Sequence, residues 1–371
     1  MTKDGTSIGV YAERLRRAQA ELERQGVDLL LIGPGSDLFY LTGFVAHLSE
    51  RLNLLGIPRQ GRPFLILPVL EAPNAKDRRE LVEIHAWEET EPPAELAARL
   101  AGNVDGKTLA VGDQLWSVFL LRLQTAMPAA RWIPALDVMR ALRMQKDAHE
   151  VEVMREVSRR TDEAWAEFVE GGPISGLTET QAMERLQELM HKRDLAGGFG
   201  ICASGANSAS PHYHTGDRVI QQGDVVIFDW GGTLDGYHSD ITRTVFIGEP
   251  TEEFRRVYEI VSRANQATLE AVKPGVPCER LDQVARAIIT DAGYGPQFLH
   301  RVGHGLGLDV HEEPYLVNGN QTPLAPGMVF SDEPGIYLEG NFGVRIEDAV
   351  VCTDEGGVRL NEASRAITVM D

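Results

Sequence analysis

Two neighbouring apolar runs constrain this chain more than any other feature: Val225-Val226-Ile227-Phe228-Asp229-Trp230-Gly231-Gly232, and Gly236-Tyr237-His238-Ser239-Asp240-Ile241-Thr242-Arg243-Thr244. β-Branched and aromatic residues dominate both, and Asp235-Gly236 lies between them, so the pattern predicts a β-hairpin. With the turn centred between Leu234 and Asp235, Asp229 and Asp240 lie directly opposite each other. Opposed Cβ atoms on an antiparallel pair are roughly 4.5 to 5.5 Å apart. Two carboxylates that close repel strongly unless a cation sits between them. Asp229 ends an apolar run and precedes Trp230, which argues against free solvation. A pair of divalent metal ions meets the requirement.

The arrangement recurs further along. Glu333 in Phe330-Ser331-Asp332-Glu333-Pro334-Gly335 and Glu347 in Gly343-Val344-Arg345-Ile346-Glu347 face each other if a hairpin turns at Gly340. His304 lies between Gly303 and Gly305, where missing side chains allow close approach of backbone and ligand. Four carboxylates and one imidazole form a hard, oxygen-rich donor set suited to two divalent ions, Mn²⁺ first, with Co²⁺ or Zn²⁺ as alternatives. Charge supports this, because the same acids buried without metal must protonate or stay exposed. A further polar cluster, Pro211-His212-Tyr213-His214, follows Ala203-Ser204-Gly205-Ala206-Asn207. No HExxH, P-loop or G-x-S-x-G motif occurs, and Gly303-x-Gly305-x-Gly307 lacks the spacing of a dinucleotide fingerprint.

A chain of 371 residues predicts two domains. Residues 8–25 have helical periodicity, strand-like runs fall at 27–32, 63–68 and 108–111, and helical patterns near 93–101 and 114–124. That alternation predicts an α/β amino-terminal domain over 1–142, within which Asp37–Phe44 reads as apolar strand and turn. Helical segments at about 146–170, 178–192, 251–272 and 279–292, with glycine-rich strands in 199–248 and 299–370, predict an α+β domain over 143–371. The net charge of −19 argues against nucleic acid or an anionic membrane surface as partner. Cys202, Cys278 and Cys352 have no metal-binding or disulfide spacing. Met1–Ser7 leads into the first helix without an apolar signal core, and no apolar run approaches the roughly 20 residues of a spanning helix. The expected location is the cytoplasm.

In order and spacing, these motifs resemble the pita-bread metallopeptidases, specifically the Xaa-Pro peptidases (prolidase and aminopeptidase P). The resemblance rests on Asp229 followed by Asp240 in Gly-Tyr-x-Ser-Asp-x-Thr-Arg-Thr, on Gly-His304-Gly-x-Gly, on Glu333-Pro-Gly and on Arg-x-Glu347, and it spans nearly the whole chain. It implies a creatinase-like amino-terminal domain, a pita-bread catalytic domain and a homodimer. It also implies hydrolysis of the bond before proline in di- or oligopeptides, with Asp229, Asp240, His304, Glu333 and Glu347 as metal ligands. By the same resemblance His212 and His311 contact substrate and transition state, and Glu333 is the expected general base, since a metal-bound carboxylate beside the activated water can accept its proton and pass it to the leaving nitrogen. Arg345 is read as a partner for a ligand carboxylate. Val302 stands where many members have threonine; touching no ligand, it bears on fine specificity. Still open are an Xaa-Pro dipeptidase, an aminopeptidase P acting on longer peptides, a relaxed dipeptidase or carboxypeptidase, and a non-catalytic peptide-binding member of the fold. The filled ligand positions speak against the last.

Overall fold

The computed structural model describes residues 7–371 and divides into two compact units between Arg143 and Met144. Met1–Thr6, and with them most of the stretch read as leading into the first helix, lie outside the described residues.

The first unit contains α1 (Ile8–Gln25), β1 (Leu29–Ile32), α2 (Ser36–Thr42), β2 (Leu54–Pro58), β3 (Phe64–Pro68), β4 (Glu83–Trp87), α3 (Pro93–Ala101), β5 (Thr108–Val111), α4 (Ser117–Ala126), β6 (Arg131–Pro134) and α5 (Leu136–Arg143). Its six strands run in the order β4-β3-β2-β1-β5-β6. All four residues of β1 are buried, as a central strand between covered faces requires. One expectation fails. Asp37–Phe44 is not strand and turn; most of it is α2, ended by Gly43. Leu38 and Leu41, three apart, share one helical face and are fully buried, while Asp37 in the first turn complements the helix dipole. A short apolar run does not distinguish helix from strand by itself.

The second unit contains α6 (Ala148–Glu170), α7 (Glu179–His191), β7 (Ala196–Ser204), β8 (Val225–Leu234), β9 (Tyr237–His238), β10 (Ile241–Ile247), α8 (Glu252–Ala271) and α9 (Cys278–Asp291), followed by β11 (Gly303–Gly305), β12 (Glu312–Leu316), β13 (Val329–Asp332), β14 (Gly335–Leu338), β15 (Phe342–Arg345), β16 (Asp348–Cys352), β17 (Gly357–Arg359) and β18 (Thr368–Met370). One sheet runs β18-β10-β8-β7 with β9 on β8, another β12-β11-β13-β16-β17, and β14 and β15 form a ribbon. Capping boxes start the first two helices: Asp147 with Glu150 for α6, and Thr178 with Gln181 for α7.

Each sheet carries helices on one face. On β8, Phe228 and Trp230 pack with Trp165 of α6 at ring separations of 5.5 and 4.6 Å. Strand alternation therefore turns Asp229 to the opposite face. On β13, Phe330 joins the core formed with α8 and α9. Ser331 points the other way and accepts a hydrogen bond from the His304 backbone amide at 3.0 Å.

The two acidic hairpins behave differently. In the first, Asp229 pairs with Thr242, not with Asp240. The loop is Asp235-Gly236, with φ of +50° and +84°, the pair of left-handed conformations of a type I′ turn. The turn centre thus lies one residue later than expected, and every partner shifts by two. An even shift keeps the same face, so Asp240 stays diagonal to Asp229. In the second hairpin, Gly335 pairs with Arg345 and Asp332 with Asp348, the register that sets Glu333 level with Glu347 about a turn at Gly340.

Candidate active site

A cavity of about 1030 Å³ opens on the face of the second unit away from the helices, and Asp229, Asp240, His304, Glu333 and Glu347 all line it. Asp229 comes from mid-β8, Asp240 from the residue before β10, His304 from the centre of β11, Glu333 from the residue after β13, and Glu347 from the joint between β15 and β16. The Glu347 amide donates to the Thr242 carbonyl at 3.1 Å, joining the second acidic hairpin to the first.

His304 shows what the cluster can hold. Its Nδ1 lies 3.1 Å from the Gly305 carbonyl, which only accepts, so Nδ1 carries the proton. Nε2 is then the lone-pair nitrogen, and it faces Glu333 Oε1 at 3.3 Å and Asp240 Oδ2 at 3.6 Å. Burial pushes the imidazole down to about 3, with His311 adding to the effect, so the ring is neutral. A lone pair aimed at two carboxylate oxygens is repulsive unless a cation or a proton lies between them. Asp240, His304 and Glu347 offer donor atoms within 4.8 Å of one another. Burial, reinforced by Asp229 and Glu333, holds Asp240 well above the usual carboxylate range. Burial and then Asp240 do the same to Glu347. Burial drives Glu333 up to about 7 despite the opposing pull of Arg345. Asp229 Oδ1 is buried without a hydrogen-bond partner. An orphaned oxygen, acids that resist ionisation and a lone pair turned inward are the marks of a donor set that fits divalent cations.

Around the cluster stand Arg345, read from sequence as a carboxylate's partner, and Thr242, Tyr337 and His300, which received no role from sequence. Arg345 donates from Nη2 to Asp229 Oδ2 at 2.8 Å and from Nε to Thr242 Oγ1 at 3.0 Å. Thr242 in turn donates to Glu347 Oε2 at 2.6 Å, so Arg345 and Thr242 orient two acids together. The partner expected for Arg345 is thus Asp229. Arg345 Nη1 also donates to the Tyr337 hydroxyl at 2.8 Å. His300 Nδ1 donates to the Arg301 carbonyl at 2.7 Å, so its Nε2 accepts from Tyr337, 2.8 Å away. Thr242 sits inside the Asp-x-Thr-Arg-Thr motif and His300 four residues before His304, the signals that could have found them. Val302 corrects another expectation: its side chain is in the core, yet its carbonyl accepts from the Glu333 amide at 2.8 Å.

His311 packs against His304 with ring centroids 3.9 Å apart. His212 lines the same cavity from the loop after β7. Buried Glu179, the first residue of α7, holds that loop: Oε1 accepts from Ser204 N and Oγ, both at 2.7 Å, and from Asn207 Nδ2 at 3.0 Å, while Oε2 accepts from Gly216 N at 3.3 Å. Lys146 anchors the His311 segment through an ion pair with neighbouring Glu312 at 2.7 Å.

Two helix-flanked sheets with four carboxylates and an imidazole turned into one cavity between them define the pita-bread fold of a metallopeptidase class. Residues 152–354 match metallopeptidase family M24, and residues 14–145 match the Creatinase/Prolidase N-terminal domain. The chain belongs to metallopeptidase family M24. It is 39% identical over 369 residues to the probable dipeptidase PepE of Mycobacterium tuberculosis, covering 97% of each chain. It is 34% identical over 368 residues to the Xaa-Pro dipeptidase of Lactobacillus delbrueckii subsp. lactis, covering 96% of this chain and 98% of the other. Among solved structures, the prolidase of Thermococcus sibiricus aligns with a TM-score of 0.92 at 38% identity, over 97% of this chain and 99% of the other. No helix among the described residues is long and apolar enough to cross a membrane.

Proposed function

We propose that this protein is a dinuclear-metal peptidase that hydrolyses the bond preceding proline in Xaa-Pro dipeptides. The observation that carries it is the convergence of four carboxylates and the inward Nε2 of His304 on one cavity, in a chain related over nearly its full length to proteins named Xaa-Pro dipeptidase. Asp229, Asp240, His304, Glu333 and Glu347 are the ligands, and Mn²⁺ is the first choice of metal for so oxygen-rich a set. When bound, the ions supply Lewis acidity that acidifies water and polarises the scissile carbonyl.

The chain's own groups do the rest. Glu333 takes a proton from the attacking water and delivers it to the leaving nitrogen, as a general base and then a general acid. His212 and His311 donate hydrogen bonds to the oxyanion that forms on the scissile carbonyl. Arg345 and Thr242 keep Asp229 and Glu347 in place. The working form is a homodimer in the cytoplasm.

The test is hydrolysis of Ala-Pro, Ala-Ala and Ala-Pro-Gly by protein stripped of metal and reloaded with Mn²⁺. The expected result is metal-dependent cleavage of Ala-Pro, with the tripeptide poorer. Failure to cleave any Xaa-Pro dipeptide overturns the reading. The PepE relatives, named dipeptidase without a proline qualifier, favour a second reading as a relaxed dipeptidase, for which Ala-Ala is cleaved as well as Ala-Pro.

A further inference from the structure

His212 reaches the cavity from a loop and stands outside every strand and helix. A donor to a developing oxyanion works only if it is held in place, because about 1 Å of misplacement can lower a rate on the order of a hundredfold. What holds this loop is a single buried carboxylate. Glu179, at the start of α7, has no exposed surface. Its Oε1 accepts from Ser204 N, Ser204 Oγ and Asn207 Nδ2, where the chain leaves β7, and its Oε2 accepts from Gly216 N, where the chain returns. The helix backbone grips the same return. Glu179 N donates to the Arg218 carbonyl at 3.0 Å, and Thr180 N and Oγ1 donate to the Gly216 carbonyl at 3.0 and 2.9 Å.

The ties continue to the residues on either side of the histidine. Asn207 Nδ2 gives its other hydrogen to the Tyr213 hydroxyl at 2.9 Å, so Glu179 is linked through one side chain to the residue after His212. The residue before it is Pro211, whose carbonyl accepts from Arg345 Nη1 at 3.4 Å. Ser208 Oγ accepts from Gly343 N of β15 at 2.9 Å. His212 is therefore bracketed between Glu179 and the strand that carries Arg345. The bracket needs a carboxylate, since donors approach both of its oxygens. A side-chain amide has one accepting end and one NH₂ end, so glutamine leaves either Gly216 N or the Ser204 and Asn207 donors facing another donor. Glu179 is not among the residues lining the cavity, so any effect it has on the reaction passes through the loop.

We propose that Glu179 is a positioning residue for the reaction: its carboxylate, holding both ends of the loop, sets His212 against the forming oxyanion. The proposal rests on reading the cavity as a peptidase site in which His212 is an oxyanion donor. The competing account is that Glu179 stabilises the fold and nothing more.

The experiment is a double-mutant cycle of Glu179→Gln and His212→Ala on Mn²⁺-loaded protein, with Ala-Pro hydrolysis, metal content and Tm measured for the wild type, both single variants and the double variant. In Glu179→Gln, kcat is expected to fall on the order of tenfold, part of the hundredfold scale of a whole donor, with KM within about twofold, because the weakened interaction is made only in the transition state. Metal content stays at the wild-type level. Added to His212→Ala, the same change should lower kcat less than about twofold, because the group it acts through is gone. An equal loss in both backgrounds overturns the proposal and assigns Glu179 to the fold. Unchanged kcat in Glu179→Gln, a loss confined to KM, or loss of metal overturns it as well. If Glu179→Gln does not fold, Asn207→Ala, which removes the link from Glu179 to Tyr213, takes its place in the cycle with the same outcomes. If the wild type cleaves no peptide, the peptidase reading fails and amide hydrogen exchange decides on Glu179. Exchange at least about tenfold faster in Glu179→Gln and confined to residues 205–216 supports the positioning role, and unchanged or chain-wide faster exchange refutes it.

Discussion

At His304, one hydrogen bond decides what the residue can do. Because Nδ1 is committed to the Gly305 carbonyl, Nε2 is left to meet Asp240 and Glu333. On the proposed reading the groups around it divide into acids that hold metal and histidines, His212 and His311, that touch substrate. Asp240→Ala removes a ligand and leaves its neighbours unbalanced, so it should lose at least one ion and all turnover. His212→Ala should keep metal near the wild-type level and lose on the order of a hundredfold in rate, the cost of one oxyanion donor. Elemental analysis with peptide hydrolysis checks both; loss of metal in His212→Ala would refute the division. Proton uptake gives a second check. Asp240 and Glu347 are held well above the usual carboxylate range and Glu333 near 7, so metal-free protein carries protons that binding must expel. His304, down near 3, is already neutral and contributes none. Protons released on Mn²⁺ binding should therefore decrease as pH rises through 7, as Glu333 loses its own. Calorimetry in buffers of different ionisation enthalpy measures this, and release independent of pH from 6 to 8.5 would contradict it.

At the scale of elements, the site depends on strands that approach too closely for side chains. A Cβ on Gly303 would collide with the Ser331 carbonyl of β13, and one on Gly305 with the Glu313 backbone. Gly303→Ala should cost about 1–3 kcal/mol, as forced overpacking does, and should also weaken metal binding because β11 carries His304. Denaturant unfolding and metal titration read the two effects; unchanged stability would show that β11 can move aside. The hairpins show why element detail is only partly readable. The second turns about Gly340 as expected, and its register follows. In the first, the choice between centring on Leu234-Asp235 and on Asp235-Gly236 depends on Asp235 entering the left-handed region, a conformation asparagine and aspartate tolerate but composition does not reveal. Asp37–Phe44 failed for a related reason, since its apolar run lacks a period long enough to separate helix from strand.

For the molecule as a whole, metal binding and folding are linked. Ions that bind only the folded chain raise its stability by about 2.7 kcal/mol at a hundred times the dissociation constant. Chelation should therefore lower Tm and abolish hydrolysis, and Mn²⁺ should restore both; a Tm indifferent to chelator would count against a preformed site. The proposed dimer predicts twice the 40.9 kDa chain mass by light scattering at micromolar concentration, and the monomer mass would overturn it.

The acids of the candidate site, their order, and the division into an α/β and an α+β part were all legible in the sequence, because each rests on local periodicity and on charges that have no place in an apolar strand. What tertiary structure alone decided lies across elements far apart in the chain. Arg345 meets Asp229 and Thr242 meets Glu347 over separations of 116 and 105 residues. Tyr337 joins Arg345 to His300, and Arg301 settles on Tyr315. No pattern along the sequence encodes such pairings, since a side chain's partner is set by which sheets and turns bring it near, and its tautomer or free charge by what those partners leave unsatisfied.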